Sequence, residues 1–318
     1  MTSSPATRPA PHGWIILDKP LGLGSTQAVA AVKRNLREAG YGKKVKVGHG
    51  GTLDPLATGV LPVALGEATK LAGRMLDASK IYEFTIQFGR QTDTLDLEGE
   101  VVATSDFQPG FGAVESIVQE RFTGEIDQIP PVYSAIKVDG ERAYDLARAG
   151  EEVQLKSRRV TIFEWEYVAE GFVGEWDASE QYATLRVKVS KGTYIRSLAR
   201  DIAIALGTVG HVTMLRRIKA GPFDLSRAIS LDKLNEIGKG APLEQILLPL
   251  EVGLDDIPAI DLGSEQARAV RQGRVLTELP HEDGLYWARE GTIPVALMEL
   301  SGGEARVVRG FNLSDVAE

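Results

Sequence analysis

The spacing of apolar and polar positions marks out most elements of this chain. Residues 13–17, Gly-Trp-Ile-Ile-Leu, form an apolar run ending in Asp18-Lys19-Pro20 and predict a short strand. A turn through Gly22 and Gly24 follows. Val29, Val32 and Leu36 then fall on one helical face, with Ser25 or Thr26 as the cap and Gly40 as the stop. Residues 48–66 hold too many turn residues for a single helix. Tyr82, Phe84, Ile86 and Phe88 alternate with Glu83, Thr85 and Gln87, the period of a half-buried strand. Val114, Ile117, Val118 and Phe122 predict a helix over 113–122. Leu185, Val187 and Val189 alternate with Arg186, Lys188 and Ser190, giving another strand. A helix over about 196–206 follows, with Leu198, Ile202 and Leu206 inward and Gly207 as its stop. Strands and helices mix without a regular βαβ rhythm, which favours α+β over a doubly wound parallel sheet.

The pattern changes near residue 250. Pro249, Gly253 and Pro258 read as a linker. A helix over 264–272 and β-like runs at 284–288, 292–300 and 304–309 then predict a small β-rich module. The expected organisation is a frayed tail over 1–12, a main domain over 13–250 and the module over 251–318. The N-terminus has no apolar core of a secretory signal, and no apolar run approaches the ~18 residues that cross a bilayer. A cytoplasmic protein with no membrane attachment is expected.

Composition narrows the chemistry. The 318 residues are 43% hydrophobic and 25% charged, ordinary for a globular chain long enough to bury a sizeable core. The absence of cysteine excludes a thiolate nucleophile, a disulfide framework and cysteine-ligated metals. The four histidines are His12, His49, His211 and His281, too scattered to predict a metal site. The net charge of −8 argues against nucleic acid until its distribution is seen. Residues 1–60 carry eight Lys/Arg against three Asp/Glu, and residues 190–220 carry six against one, whereas the C-terminal module is acidic. Such islands are either solvated surface or a local phosphate-binding face, because backbone contacts need clustered cations and not a basic average.

Several side chains could carry chemistry. Asp54 lies between Leu53 and Pro55 in a Gly-rich loop, and Pro55 keeps it out of a helix. A carboxylate on a stiff loop suits a nucleophile or general base; an Asx turn that merely stabilises the loop is the plainer reading. Tyr82 could stack on a substrate ring or sit at the core rim. Tyr194 and Arg196 stand two apart in an extended segment, so they share a face, and Arg196 could pair with a carboxylate. Lys19 is either structural or a phosphate contact, and residues 211–217 end in the basic pair Arg216 and Arg217.

Taken together, these residues are more specific. Leu17–Gly22, Gly48–Gly59, Leu65–Lys70, Lys80–Tyr82, Gly89–Thr94, Gln128–Lys137, Ser190–Arg196 and His211–Arg217 occur in the family order of the bacterial TruB-type tRNA pseudouridine-55 synthases, which the sequence resembles. The family usually has Ser or Thr at Gly24 and commonly Thr at Gly50, two departures expected at an RNA-facing rim. The C-terminal module resembles, more faintly, the PUA domain that many members carry.

The resemblance implies a mixed, largely antiparallel sheet with flanking helices and isomerisation of a T-loop uridine, with no cofactor. Asp54 would be the catalytic aspartate and Arg196 its partner. Tyr82 would pack on the base and act in catalysis, with Tyr194 and Leu215 lining the nucleotide pocket. His49 would occupy the space left by an extruded base. Lys19, Lys43, Lys44, Lys46, Arg216 and Arg217 are candidate phosphate contacts, and Arg271 and Arg274 could graze the acceptor stem. The partner implied is the tRNA T-arm, with no obligatory protein partner. Two other readings share parts of this set: a glycosylase that releases uracil, and a non-catalytic tRNA-binding or tRNA-folding protein.

Overall fold

The computed structural model describes residues 8–313 apart from 111, 135, 139, 150, 152 and 174–179. The main sheet contains, in chain order, β1 (Gly13–Lys19), β2 (Val47–His49), β3 (Ala57–Leu65), β4 (Lys80–Phe88), β5 (Gly124–Gln128), β6 (Arg158–Val173), β7 (Glu180–Val189) and β8 (Gly210–Ala220). Across the sheet the order is β1-β3-β8-β4-β7-β6-β5, with β2 paired to β3. The β3–β8 pair is parallel and its neighbours in that order are antiparallel. The expected mixed, largely antiparallel α+β sheet is therefore present.

The helices that pack on the two sheets include α1 (Ser25–Glu38), α2 (Ala72–Asp77), α3 (Ala113–Arg121), α4 (Ile195–Ala205), α5 (Leu231–Gly238) and, in the C-terminal module, α6 (Ser264–Arg271); a further short helix spans Ala143–Arg148. Leu198 and Ile202 of α4 and Val114 and Val118 of α3 pack with Phe84, Ile86 and Val187 of the sheet. Val32 and Leu36 of α1 and Leu234 and Ile237 of α5 pack with Ile15, Leu17, Leu61 and Val63. Tyr82 and Leu215 touch both clusters, so they stand where the two halves of the core meet.

A smaller sheet forms the C-terminal module. Its strands are β9 (Ala259–Asp261), β10 (Leu276–Thr277), β11 (Gly284–Glu290), β12 (Ile293–Ser301) and β13 (Glu304–Gly310), in the order β9-β11-β12-β13-β10. The chain stays packed on the main domain past residue 250. Leu250, Leu254 and Ile257 are buried against Trp14, and the Trp14 Nε1–H donates to the Leu250 carbonyl at 3.1 Å. The stretch read as a linker is therefore core. Trp287, Leu297 and Phe311 of the module join the same cluster.

Two local expectations also change. Residues 8–12 are not frayed: His12 Nδ1 accepts from the Glu67 N–H at 3.0 Å, and the Arg8 guanidinium lies 5.5 Å from the centroid of the Tyr41 ring. Residues 1–7 lie outside the described residues. Gly24, not Ser25 or Thr26, stands at the N-cap of α1, and its N–H donates to Gln27 Oε1 at 2.8 Å. Ser25 is thereby free to turn inward.

Candidate active site

Asp54 sits on the loop between β2 and β3, and the fold fixes that loop from three sides. Ser25 Oγ donates to the Leu53 carbonyl at 2.9 Å and accepts from the Leu53 N–H at 2.8 Å, tying the loop to the start of α1. Lys19 closes β1 and is wholly buried. Its ammonium donates to the carbonyls of Leu23 at 2.6 Å, Pro20 at 3.0 Å and Pro55 at 3.3 Å. Arg217, 1% exposed, donates to the carbonyls of Val60 at 2.8 Å, Gly51 at 3.2 Å and Thr52 at 3.3 Å. Buried carbonyls need such partners, and a buried cation needs several acceptors.

Lys19 and Arg217 are candidate phosphate contacts in the sequence, with a structural role the alternative for Lys19. The structure corrects the phosphate assignment of both: they are internal braces of the Asp54 loop. Arg217 faces inward because β8 runs parallel to β3 with Arg217 opposite Gly59. A Cβ on Gly59 would collide with the Arg217 main chain, so glycine is required there. Arg216, its neighbour, points the other way, as strand alternation demands. It is partly exposed and pairs with Asp18 at 2.8 Å.

The Asp54 carboxylate is 41% exposed and forms an ion pair with Arg196 at 2.9 Å. Arg196 opens α4 and is itself buried. It donates to the carbonyls of Thr94 at 2.8 Å and Tyr133 at 3.0 Å, and lies 3.4 Å from the buried Asp96 carboxylate. Asp96 in turn accepts from Thr94 Oγ1 at 2.6 Å and the Glu98 N–H at 3.0 Å. One guanidinium thus bridges an internal carboxylate and an accessible one, and orients the latter by charge-assisted hydrogen bonding.

Asp54 borders a cleft of about 310 Å³ shared with Tyr82, Tyr194, Leu215, Lys80, Ser134 and Arg158. Arg196 lies behind it, with Asp54 and Leu215, against a second hollow of about 80 Å³. The Tyr194 backbone is held on both sides by buried Gln128: its N–H donates to Oε1 at 2.8 Å, and its carbonyl accepts from Nε2 at 3.1 Å. Asp54, Tyr82, Tyr194 and Leu215 therefore face one cleft, and Arg196 joins them through its pair with Asp54.

His49 does not line that cleft. It is half-buried at the end of β2, and its Nδ1 accepts from the Gly51 N–H at 3.4 Å. Burial, and secondarily the nearby Arg217 charge, lower its pKa below the usual histidine value, so the ring is neutral at pH 7. Gly50 is buried, not at a rim, because the space a side chain would fill is taken by Met75. Lys43, Lys44 and Lys46 are exposed, near Lys33 and Arg37 of α1. Arg271 is paired with Glu290 at 2.8 Å. Among the described residues no cluster of three or more His, Asp or Glu side chains could hold a metal ion, and no helix is long and apolar enough to cross a membrane.

Residues 37–195 match the TruB family pseudouridylate synthase N-terminal domain, and residues 196–255 match the tRNA pseudouridylate synthase B C-terminal domain. This chain belongs to the TruB family of pseudouridylate synthases. The tRNA pseudouridine synthase B of Novosphingobium aromaticivorans is 70% identical over 309 residues, covering 96% of this chain and 99% of that protein. Its namesake from Zymomonas mobilis is 59% identical, covering 98% and 100%. Among solved structures, an H/ACA RNP bound to a substrate RNA containing 2′-deoxyuridine superposes with a TM-score of 0.68 at 26% identity, covering 94% of this chain and 85% of that one.

The sequence reading of this TruB-family chain missed four contributors: Asp96, Gln128, Ser134 and Arg158. Asp96 lies a hundred positions from Arg196 and carries no local signal of its own. Gln128 and Ser134 stand inside the block Gln128–Lys137 that marked the family, but a block match assigns no role to a residue. Arg158 opens a long strand whose start the apolar pattern does not mark.

Proposed function

We propose that this chain isomerises a uridine of the tRNA T-loop, position 55, to pseudouridine, with Asp54 as the catalytic carboxylate. The bond between ribose C1′ and uracil N1 breaks, the uracil turns, and C5 bonds to C1′; C5 gives up its proton and N1 takes one up. Nothing is oxidised and nothing is released, so the RNA keeps its mass.

The observation that carries this reading is the Asp54–Arg196 pair at 2.9 Å on the wall of a cleft that also presents Tyr82, Tyr194 and Leu215. The cleft is of a size for one nucleotide, and that nucleotide must leave its stack to enter. Inside, the anionic carboxylate meets C1′ as the sugar loses electron density. Tyr82 offers its ring to the uracil, Leu215 closes the apolar side, and the Arg196 pair fixes the carboxylate before substrate arrives. Such preorganisation lowers the barrier because no dipole must turn during reaction.

Recognition of the T-arm rests on its shape and its phosphates, in this reading. Exposed Lys43, Lys44 and Lys46 are its candidate contacts, with Arg216 once it exchanges Asp18 for RNA. Replacing the three lysines by Gln weakens binding and flattens the slope of log affinity against log salt by about 2, at ~0.7–0.9 per phosphate contact. An unchanged slope removes that loop from the interface. The C-terminal module takes an auxiliary part in this reading, and the enzyme works in the cytoplasm with its RNA.

The deciding experiment incubates the enzyme with an unmodified T-arm stem-loop and maps the product by carbodiimide treatment and primer extension. Wild type yields a single stop at the target uridine, and Asp54→Asn binds the RNA but yields none. Free uracil among the products would establish the glycosylase instead. Binding without any product from wild type would establish a pure RNA binder. Full turnover by Asp54→Asn removes Asp54 as the catalyst.

A further inference from the structure

Two buried polar atoms on the cleft wall have no partner among the described residues: Arg158 Nε and Ser134 Oγ. Buried polar atoms are ordinarily satisfied, and an unsatisfied one on a cavity wall indicates a missing acceptor or donor. Ser134 is 5% exposed, and both residues border the Asp54 cleft.

The Arg158 guanidinium is placed with care. It lies 4.4 Å from the centroid of the Tyr194 ring, within cation–π range, and its Nη2–H donates to the Gly192 carbonyl. Gly192 turns its carbonyl toward the guanidinium with a φ of +80°, a conformation that favours glycine. At its main chain, Arg158 of β6 stands opposite Gln128 of β5, the residue that clamps Tyr194. Arg158, Gln128 and Tyr194 therefore form one rigid wall. No carboxylate pairs with Arg158 among the described residues. Among the described residues that border the cleft, Asp54 is the single carboxylate, and it is paired with Arg196, while Lys80 and Arg217 are bonded to main-chain carbonyls.

We propose that Arg158 and Ser134 form a phosphate subsite in the cleft, gripping one of the two phosphodiesters that flank the everted uridine. Arginine has only donors, and its planar fork matches a phosphate. A serine hydroxyl adds a further donor to the same anion. Eversion swings the target nucleotide about its flanking phosphates, so at least one of them must travel toward the cleft. A cationic wall without its own carboxylate would receive it. The subsite rests on the uridine-isomerase reading and adds to it the contact that holds the nucleotide in place.

The test measures affinity for a T-arm stem-loop in which one flanking phosphate is a neutral methylphosphonate, placed 5′ or 3′ of the target. Each RNA is compared with a control that has the same 2′-deoxy sugar and an ordinary phosphodiester. One methylphosphonate costs wild type about tenfold or more, the scale of a charge-assisted hydrogen bond, and thereby identifies which phosphate is held. Arg158→Gln binds the control RNA about tenfold more weakly and loses sensitivity to that methylphosphonate. Arg158→Lys restores part of both, and Ser134→Ala shows a smaller loss of the same kind. Arg158→Gln that binds like wild type overturns the subsite. So does Arg158→Gln that binds weakly yet still senses the methylphosphonate as strongly as wild type, because Arg158 would then only brace Tyr194 and Gly192. Pseudouridine formation by wild type on the unmodified stem-loop is measured alongside; its failure would strike the parent reading and not the subsite.

Discussion

Arg217→Met tests whether the buried cation braces the catalytic loop or touches RNA. The change removes hydrogen bonds to the carbonyls of Gly51, Thr52 and Val60 and keeps most of the side-chain volume. Leaving a buried acceptor unmet costs ~1–3 kcal/mol. Two of the three bonds are long, and the variant no longer buries a charge, so the net loss is on the order of 3 kcal/mol. For a chain of this size that corresponds to roughly 4–5 °C in melting temperature. The loop that carries Asp54 also loses its floor, and a displacement of ~1 Å at a reacting group costs about a hundredfold in rate. Thermal melts and single-turnover assays on a stem-loop RNA measure both effects. The salt slope of RNA binding stays as in wild type, because no phosphate contact is lost. A melting temperature within 2 °C of wild type, as a rough threshold on the same scale, refutes the bracing argument. A salt slope reduced by about 1 would return Arg217 to the RNA interface.

Other consequences follow from the same geometry. Gly50→Ala places a Cβ 2.5 Å from Met75 Cβ, a clash that costs ~1–3 kcal/mol, and Met75→Ala in the same chain recovers part of it; thermal melts that show no recovery contradict the overlap. Burial lowers Lys80 from its ordinary 10.5 to about 8, with the Arg217 charge adding to the effect. The unfolded chain therefore holds more protons between about pH 8 and 10.5, so this group's contribution to stability rises with pH there, by up to ~1.4 kcal/mol per unit. Wild type gains melting temperature over Lys80→Met between pH 8 and 9.5, and a pH-independent difference would contradict the lowered value. Lys19 is also lowered to about 8, chiefly by burial and against the pull of Asp54. Below that pH its ammonium has a donor for each of three carbonyls, and above it the neutral amine has only two.

The elements with a clean period were legible in the sequence: the strand that holds Tyr82, the helix behind Leu198 and Ile202, and the C-terminal β runs. The Asp54–Arg196 pairing was legible only through family resemblance, since 142 positions separate the two residues. Charge misled where burial decided. Lys19 and Arg217 look like surface cations in one dimension; Arg217 becomes internal once β8 lies parallel to β3, and Lys19 once the turn after β1 and Pro55 close over it. Ser25 looks like a helix cap until Gly24 takes that position and leaves the hydroxyl for Leu53. Asp96 and Arg158 gain meaning only from the partners that folding brings to them.

Trp14 and Lys19 are five residues apart on one strand. The tryptophan packs on Phe223 in a buried cluster that Leu250, Leu254 and, from the C-terminal module, Trp287 and Phe311 complete, while the lysine props up Pro55. Stripping away the terminal sheet would wet the indole and unsettle the backbone beneath the reacting carboxylate. The two lobes therefore share one buried cluster: heat should undo them in a single transition, and a protease that severs the outer lobe should lower the melting temperature of what remains.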